Sequence, residues 1–229
     1  MKNFIIALHK IQSSFETAND LKHQLESYGH AVELFEGTYG DEAVTMMESE
    51  GRTLHPWGIK GPDKSKPQEE NPKLGKLTKP GVKGCFYSHY NLWKKCIELN
   101  EPIIIWEDDI ILTRNYIPVE FNEVLILALG NPKKSAKYQH FLDSPIGKPR
   151  AHEYFQSSMP GACGYAIKPT AARKLVDMYS KTYLPADNAI NVYVVEIQIH
   201  SHIMGRALIK KDGKISLTNR VDKWVDYGL

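Results

Sequence analysis

Three consecutive carboxylates, Glu107-Asp108-Asp109, follow directly on the apolar run Pro102-Ile103-Ile104-Ile105-Trp106. The run is short and β-branched, which reads as a buried strand. Adjacent carboxylates repel one another, and burying them unpaired is costly. A divalent cation removes both penalties: oxygen ligands suit Mn²⁺ or Mg²⁺, and such ions commonly bridge one or two carboxylates to substrate phosphates. If the strand stayed extended, Glu107 and Asp109 would point the same way. A solvated strand end with acids in a turn is the plain alternative. His200 and His202 are also two apart, at the end of the apolar run Val192–Ile199. They read either as further metal ligands or as packed strand-end histidines. Asp187 is a candidate general base for deprotonating a hydroxyl, or else a helix-capping residue. Ser88 and His89 sit side by side within a helical pattern.

The elements that carry these residues alternate. Phe4–Leu8 reads as a first strand. Ala18, Leu21, Leu25 and Tyr28 recur at helical spacing and Gly29 ends that helix. Ala31–Phe35 reads as a second strand, and Asp41 as the cap of a short helix holding Val44 and Met47. Gly84–Leu99 reads as a helix with Cys85, His89, Leu92, Trp93, Cys96 and Ile97 on one face. Val124–Leu129 fits a strand or a helix equally. In Ala162–Ile167, a strand, the internal Gly164 predicts a close backbone approach. Pro169 opens a further helix. This succession predicts one α/β domain over residues 1–229, a Rossmann-like mixed sheet flanked by helices.

Length, composition and charge bound the rest. The chain has 229 residues, 42% of them hydrophobic and 24% charged, with a net charge of +2. These values are ordinary for a globular protein and exclude a polycation. No apolar stretch reaches membrane-spanning length, and the N-terminal apolar run is too short for a secretory signal. Three cysteines, odd in number and without metal-like spacing, fit a reducing, cytoplasmic setting. Residues 52–83 form a long segment rich in Lys, Pro and Gly. A second basic region holds Lys133, Lys134, Lys137, Lys148 and Arg150. Long loops in compact domains are often functional, and lysine-rich ones suit phosphate-bearing ligands.

Four segments together resemble glycosyltransferase family 25. Gly81-Val82-Lys83-Gly84-Cys85-Phe86-Tyr87-Ser88-His89-Tyr90-Asn91-Leu92-Trp93 is similar to its G-x-x-G-C-x-x-S-H-x-x-x-W signature, and Ile105–Ile110 to its strand ending in E-D-D. Gly164–Ala172 resembles its G-Y-x-I and following helix, and Leu184–Asp187 its P-x-D. The resemblance implies a GT-A fold and a nucleotide-sugar donor, uridine-diphosphate-linked. It also implies a metal held by Asp109 with Glu107, and donor contacts from Glu107, Asp108, Ser88 and His89. A saccharide acceptor is the family default. Two departures stand out. No arginine follows the first strand in Leu8–Phe15, and the C-terminal Asp222–Leu229 is not the basic, aromatic tail that suits a membrane surface. With the basic regions, the second departure leaves a hydroxymethylated base of phage DNA as an alternative acceptor. A metal-dependent phosphoryl-transfer hydrolase and a non-catalytic nucleotide-sugar binder are the readings outside the transferase class.

Overall fold

The computed structural model describes residues 1–57, 74–112, 114–115, 118–129, 149–151, 162–200 and 205–207. Its centre is a mixed sheet. Strands β1 (Lys2–Ala7), β2 (Val32–Glu36), β4 (Ile103–Glu107), β6 (Val124–Leu129), β7 (Pro149–Ala151), β8 (Gly164–Ile167) and β10 (Ile197–His200) run in the order β2-β1-β4-β8-β6-β10-β7. Strand β5 (Ile110–Leu112) pairs with β11 (Gly205–Ala207), which also pairs with β6. Strands β1, β2 and β4 are mutually parallel, and β8 runs antiparallel between β4 and β6. A separate parallel pair joins β3 (Thr53–Leu54) to β9 (Thr182–Tyr183). The helices are α1 (Gln12–Ser27), α2 (Gly40–Glu50), α3 (Leu74–Leu77), α4 (Pro80–Leu99), α5 (Pro169–Met178) and α6 (Ala186–Ala189). Among the described residues no helix is long and apolar enough to cross a membrane.

Side-chain parity divides the core in two. Phe4, Ile103, Ile105, Val124, Ile126, Tyr165 and Ile167 join the core beneath α2, α4 and α5. Their neighbours Ile5, Ile104, Trp106, Leu125, Leu127 and Ala166 join the core on the α1 side. A strand covered on both faces needs apolar residues at every position. This is why Val124–Leu129 carried no period in the sequence; it is a central strand, five of whose side chains are fully buried.

Local chemistry sets the element ends. α2 is capped by Tyr39, whose backbone N–H donates to Glu42, so Asp41 lies in the first turn and is not the cap. A carboxylate three residues past the cap can reach back to its N–H, whereas Asp41 is already inside the helix. α4 begins four residues earlier than Gly84, because Pro80 suits a first helical position. The strand expected over Val192–Ile199 starts only at Ile197. Asn191 holds the preceding turn through its side chain, and Val192 and Tyr193 face solvent there. The close approach expected at Gly164 is present: a Cβ there would lie 2.5 Å from the Trp106 ring.

Candidate functional site

The order β2-β1-β4 places strands on both sides of β1, with α1 on one face and α2 and α4 on the other. Such a reversal of winding opens a crevice outside the carboxyl ends of the strands, where α/β proteins bind ligands. Ala7, Glu36 and Glu107 end the three strands there.

Two loops wall this crevice. Tyr39 ties them together: its hydroxyl accepts from the Lys10 N–H at 2.8 Å and donates to Glu36 at 2.8 Å. Burial and the adjoining carboxylates push the Tyr39 phenol up to about 12. Ser14 Oγ accepts from the Leu8 N–H at 2.9 Å. Ser88 serves the same architecture. Its Oγ accepts from the Thr38 N–H at 2.9 Å and donates to the Gly84 carbonyl at 2.8 Å. Gly84 is part of this brace, since a Cβ there would stand 2.6 Å from the Thr38 carbonyl oxygen.

The acids occupy the end of β4 and the turn after it. Glu107 closes the strand on the parity of Ile103 and Ile105, so its side chain turns toward α4. Asp108 and Asp109 form the turn into β5. The chain is therefore not extended from Glu107 to Asp109, and alternation does not align the two carboxylates. All three acids are half-buried.

Around Glu107 the structure gathers residues from α4, from the bend before β8 and from α6. His89 Nε2 lies 3.6 Å from Glu107 Oε1, and Cys85 Sγ lies 3.7 Å from the same oxygen. The Cys163 carbonyl accepts the Glu107 N–H at 2.9 Å. Burial first, and the Glu107 charge next, push the thiols of Cys85 and Cys163 well above the ordinary cysteine range, so both stay protonated. Asp187, at the start of α6, shares this environment. Desolvation and the Glu107 charge raise its carboxyl to about 6, against smaller lowering effects from the Asn188 and Asp187 N–H groups and from His89. A residue from the P-x-D segment thus lies within electrostatic reach of Glu107 of β4 and His89 of α4.

His200 is buried at the end of β10, three places from β4 in the sheet. The chain leaving it returns as β11 to pair with β5, the strand that follows the acids. His202 lies outside the described residues. So do Lys60, Lys64, Lys66 and Lys73 of the basic segment and Lys133, Lys134, Lys137 and Lys148 of the second basic region.

Cys85, His89 and Glu107 present potential ligand atoms within 4.8 Å of one another. Protonated thiols are poor ligands for hard cations, whereas Glu107, Asp108 and Asp109 form an all-oxygen set of the kind Mn²⁺ and Mg²⁺ prefer. The donor chemistry therefore fits such a cation at the acids, not at the cysteine. Sequence reasoning did not single out Tyr39, Glu36 and Thr38, because their roles depend on loops meeting across the crevice. Trp93 and Tyr165 lay inside the recognised segments, but only as pattern positions.

The sequence profile of glycosyltransferase family 25, described as an LPS biosynthesis protein family, matches residues 1–190. A curated relative, the lipooligosaccharide biosynthesis protein lex-1 of Haemophilus influenzae, is 32% identical over 128 residues. That alignment covers 51% of this chain and 41% of the relative. With the match extending over most of the chain and through the acids, α4 and Asp187, the protein belongs to glycosyltransferase family 25.

Proposed function

We propose that the chain transfers a sugar from a nucleoside-diphosphate donor, uridine-linked, to an acceptor hydroxyl, with inversion at the anomeric carbon. The observation that carries this reading is that a family 25 chain sets Asp187 within electrostatic reach of Glu107, beside which His89 lies. Two carboxyl groups with different surroundings suit two roles. Glu107, flanked by His89 and Cys85, belongs to the donor side, together with Asp108 and Asp109. Asp187, raised toward neutrality, belongs to the acceptor side.

In the proposed step Asp187 accepts the proton of the acceptor hydroxyl. The freed oxygen attacks the anomeric carbon, and the bond from that carbon to the diphosphate oxygen breaks. One displacement inverts the configuration and releases nucleoside diphosphate. Asp109, with Glu107 and Asp108, would hold a Mn²⁺ or Mg²⁺ ion, which when bound would supply positive charge against the diphosphate. Ser88 acts through the loop it braces, keeping the Thr38 backbone at the mouth of the crevice.

The proposed acceptor is a saccharide, in line with the lipooligosaccharide relative. The test is a donor screen with Mn²⁺, followed by an acceptor panel of oligosaccharides and hydroxymethylated DNA. Release of nucleoside diphosphate with glycan extension supports the reading. Transfer only to DNA replaces the acceptor; release of nucleoside monophosphate would mark a phosphoryl hydrolase. Binding without turnover would mark a nucleotide-sugar binder. Asp109→Asn is expected to abolish turnover and the Mn²⁺-dependent thermal shift seen with nucleoside diphosphate.

A further inference from the structure

We propose that His89 is a positioning residue for Glu107, and that Tyr165 and Trp93 set which imidazole nitrogen carries the proton. The inference rests on the reading of Glu107 as part of the donor site. It follows from the balance of donors and acceptors. The Trp93 indole can only donate, and its Nε1 lies 2.9 Å from the Tyr165 oxygen. That oxygen is therefore an acceptor toward Trp93, and the phenol has a single proton left to place. His89 Nδ1, at 2.8 Å, is the acceptor that the described residues offer it. Nδ1 thus holds a lone pair, and the ring proton sits on Nε2.

Nε2 is buried, has no hydrogen-bond partner among the described residues, and lies 3.6 Å from Glu107 Oε1. An N–H therefore faces the carboxylate. The opposite tautomer would point a lone pair at a negative oxygen. It would also give Tyr165 two donors and strand the phenol proton in a fully buried site. The same balance makes His89 a poor metal ligand, because ligation needs the Nε2 lone pair. Catalytic hydrogen bonds are often long without substrate and tighten on binding, so a gap of 3.6 Å suits a contact completed when the donor docks.

The fold explains the spacing. His89 and Trp93 are one turn apart on α4, so both rings reach the sheet on the same side. Tyr165 faces them because it pairs with Ile105 on the Glu107 side of β4. Its ring stacks on the imidazole, 18° from parallel. The histidine and tryptophan of one recognised segment thus act on the acid of a second through the tyrosine of a third.

The first test is the tautomer itself, read from ring-nitrogen NMR of ¹⁵N-histidine-labelled protein at mildly alkaline pH. Loss of a signal in His89→Gln assigns His89 among the nine histidines. The proton is expected on Nε2, and Tyr165→Phe, which leaves Glu107 alone to hold it there, is expected to raise the minor population with the proton on Nδ1. A wild-type signal with the proton on Nδ1 would overturn the proposal. The second test is calorimetric binding of UDP with Mn²⁺. Loss of an outer-shell partner typically costs about ten- to a hundredfold, so His89→Leu and Tyr165→Phe should weaken binding by that order. His89→Gln, whose amide restores an N–H donor, should recover most of it. Unchanged affinity in folded His89→Leu would also overturn the proposal. Should the wild-type chain not bind UDP with Mn²⁺, the donor reading fails, and the tautomer measurement still decides the relay.

Discussion

Asp187 works against stability in the absence of ligand, and that gives it two separable signatures. Its folded-state carboxyl titrates near 6, above the ordinary 3.8, because burial and Glu107 disfavour its charge. The folded state therefore binds this proton more tightly than the unfolded chain does. The resulting stabilisation is complete below about pH 3.8 and is lost as the pH rises through about 6. Asp187→Asn removes the buried charge, so the metal-free variant should be more stable than wild type at pH 7 to 8, by up to about 3 kcal/mol. The gain should vanish near pH 4, and parallel thermal melts at the two pH values check it. Catalysis should move oppositely. Loss of a general base typically costs about a hundredfold to ten-thousandfold, and wild-type turnover should fall with pH as Asp187 takes up its proton. A variant with near-normal kcat would pass the role of base to another carboxylate. Glu153 and Asp143, the next candidates in sequence, lie outside the described residues.

At the scale of elements, the site depends on close packing at two glycines. Gly164 lets β8 pass the Trp106 ring, and Gly84 lets α4 approach the Thr38 backbone. Neither neighbour is the free end of a flexible chain, so a methyl group must displace an element. Overpacking of this kind typically costs about 1–3 kcal/mol. Gly164→Ala should lower stability in that range by chemical denaturation, through a shift of β8 against β4. Gly84→Ala should cost a similar amount and, in addition, weaken donor binding, because it pushes the Thr38 loop from the Ser88 brace. Donor affinity unchanged in a folded Gly84→Ala protein would separate that brace from the site. The central helix α4 carries Cys85 and His89 on the sheet side, and Arg52 is packed near its aromatic side chains. The Arg52 guanidinium lies 4.6 Å from the Tyr90 ring centre and hydrogen-bonds the Tyr179 carbonyl. This pin holds the β3 end of the chain to the same helix that positions His89.

For the whole molecule, a net charge of +2 leaves electrostatic recognition to local patches. Lys76 and Lys79 stand just before α4, with Lys73 preceding them outside the described residues. If these lysines bind a polyanionic acceptor, replacing all three with Gln should weaken acceptor binding and flatten its dependence on salt, by about one unit of slope for each phosphate that is no longer neutralised. A saccharide acceptor without phosphates predicts an unchanged slope, so the measurement discriminates the two acceptor classes. The alignment with the lipooligosaccharide protein spans less than half of that relative, so the salt dependence of acceptor binding, and not the relative's name, decides the acceptor.

The amino-acid sequence determined the α/β class, the buried strand that delivers the acids, the helix bearing Ser88 and His89, and the close approach at Gly164. Each is a local property, carried by side-chain period, turn residues or the lack of a Cβ. The strand identity of Val124–Leu129 was not local: burial on both faces erases the period, and only the sheet order decided it. The turn at Asp108-Asp109 was likewise hidden, since three acids in a row are compatible with an extended or a turned chain. Contacts between distant residues belonged to the tertiary structure alone. Ser88 meets Thr38 across fifty positions and His89 meets Tyr165 across seventy-six. Asp187 feels the Glu107 charge because the fold sets α6 close to the end of β4. A linear pattern records which residues are present, but which atom faces which, and therefore where a proton sits, is fixed only when helix and sheet close on each other.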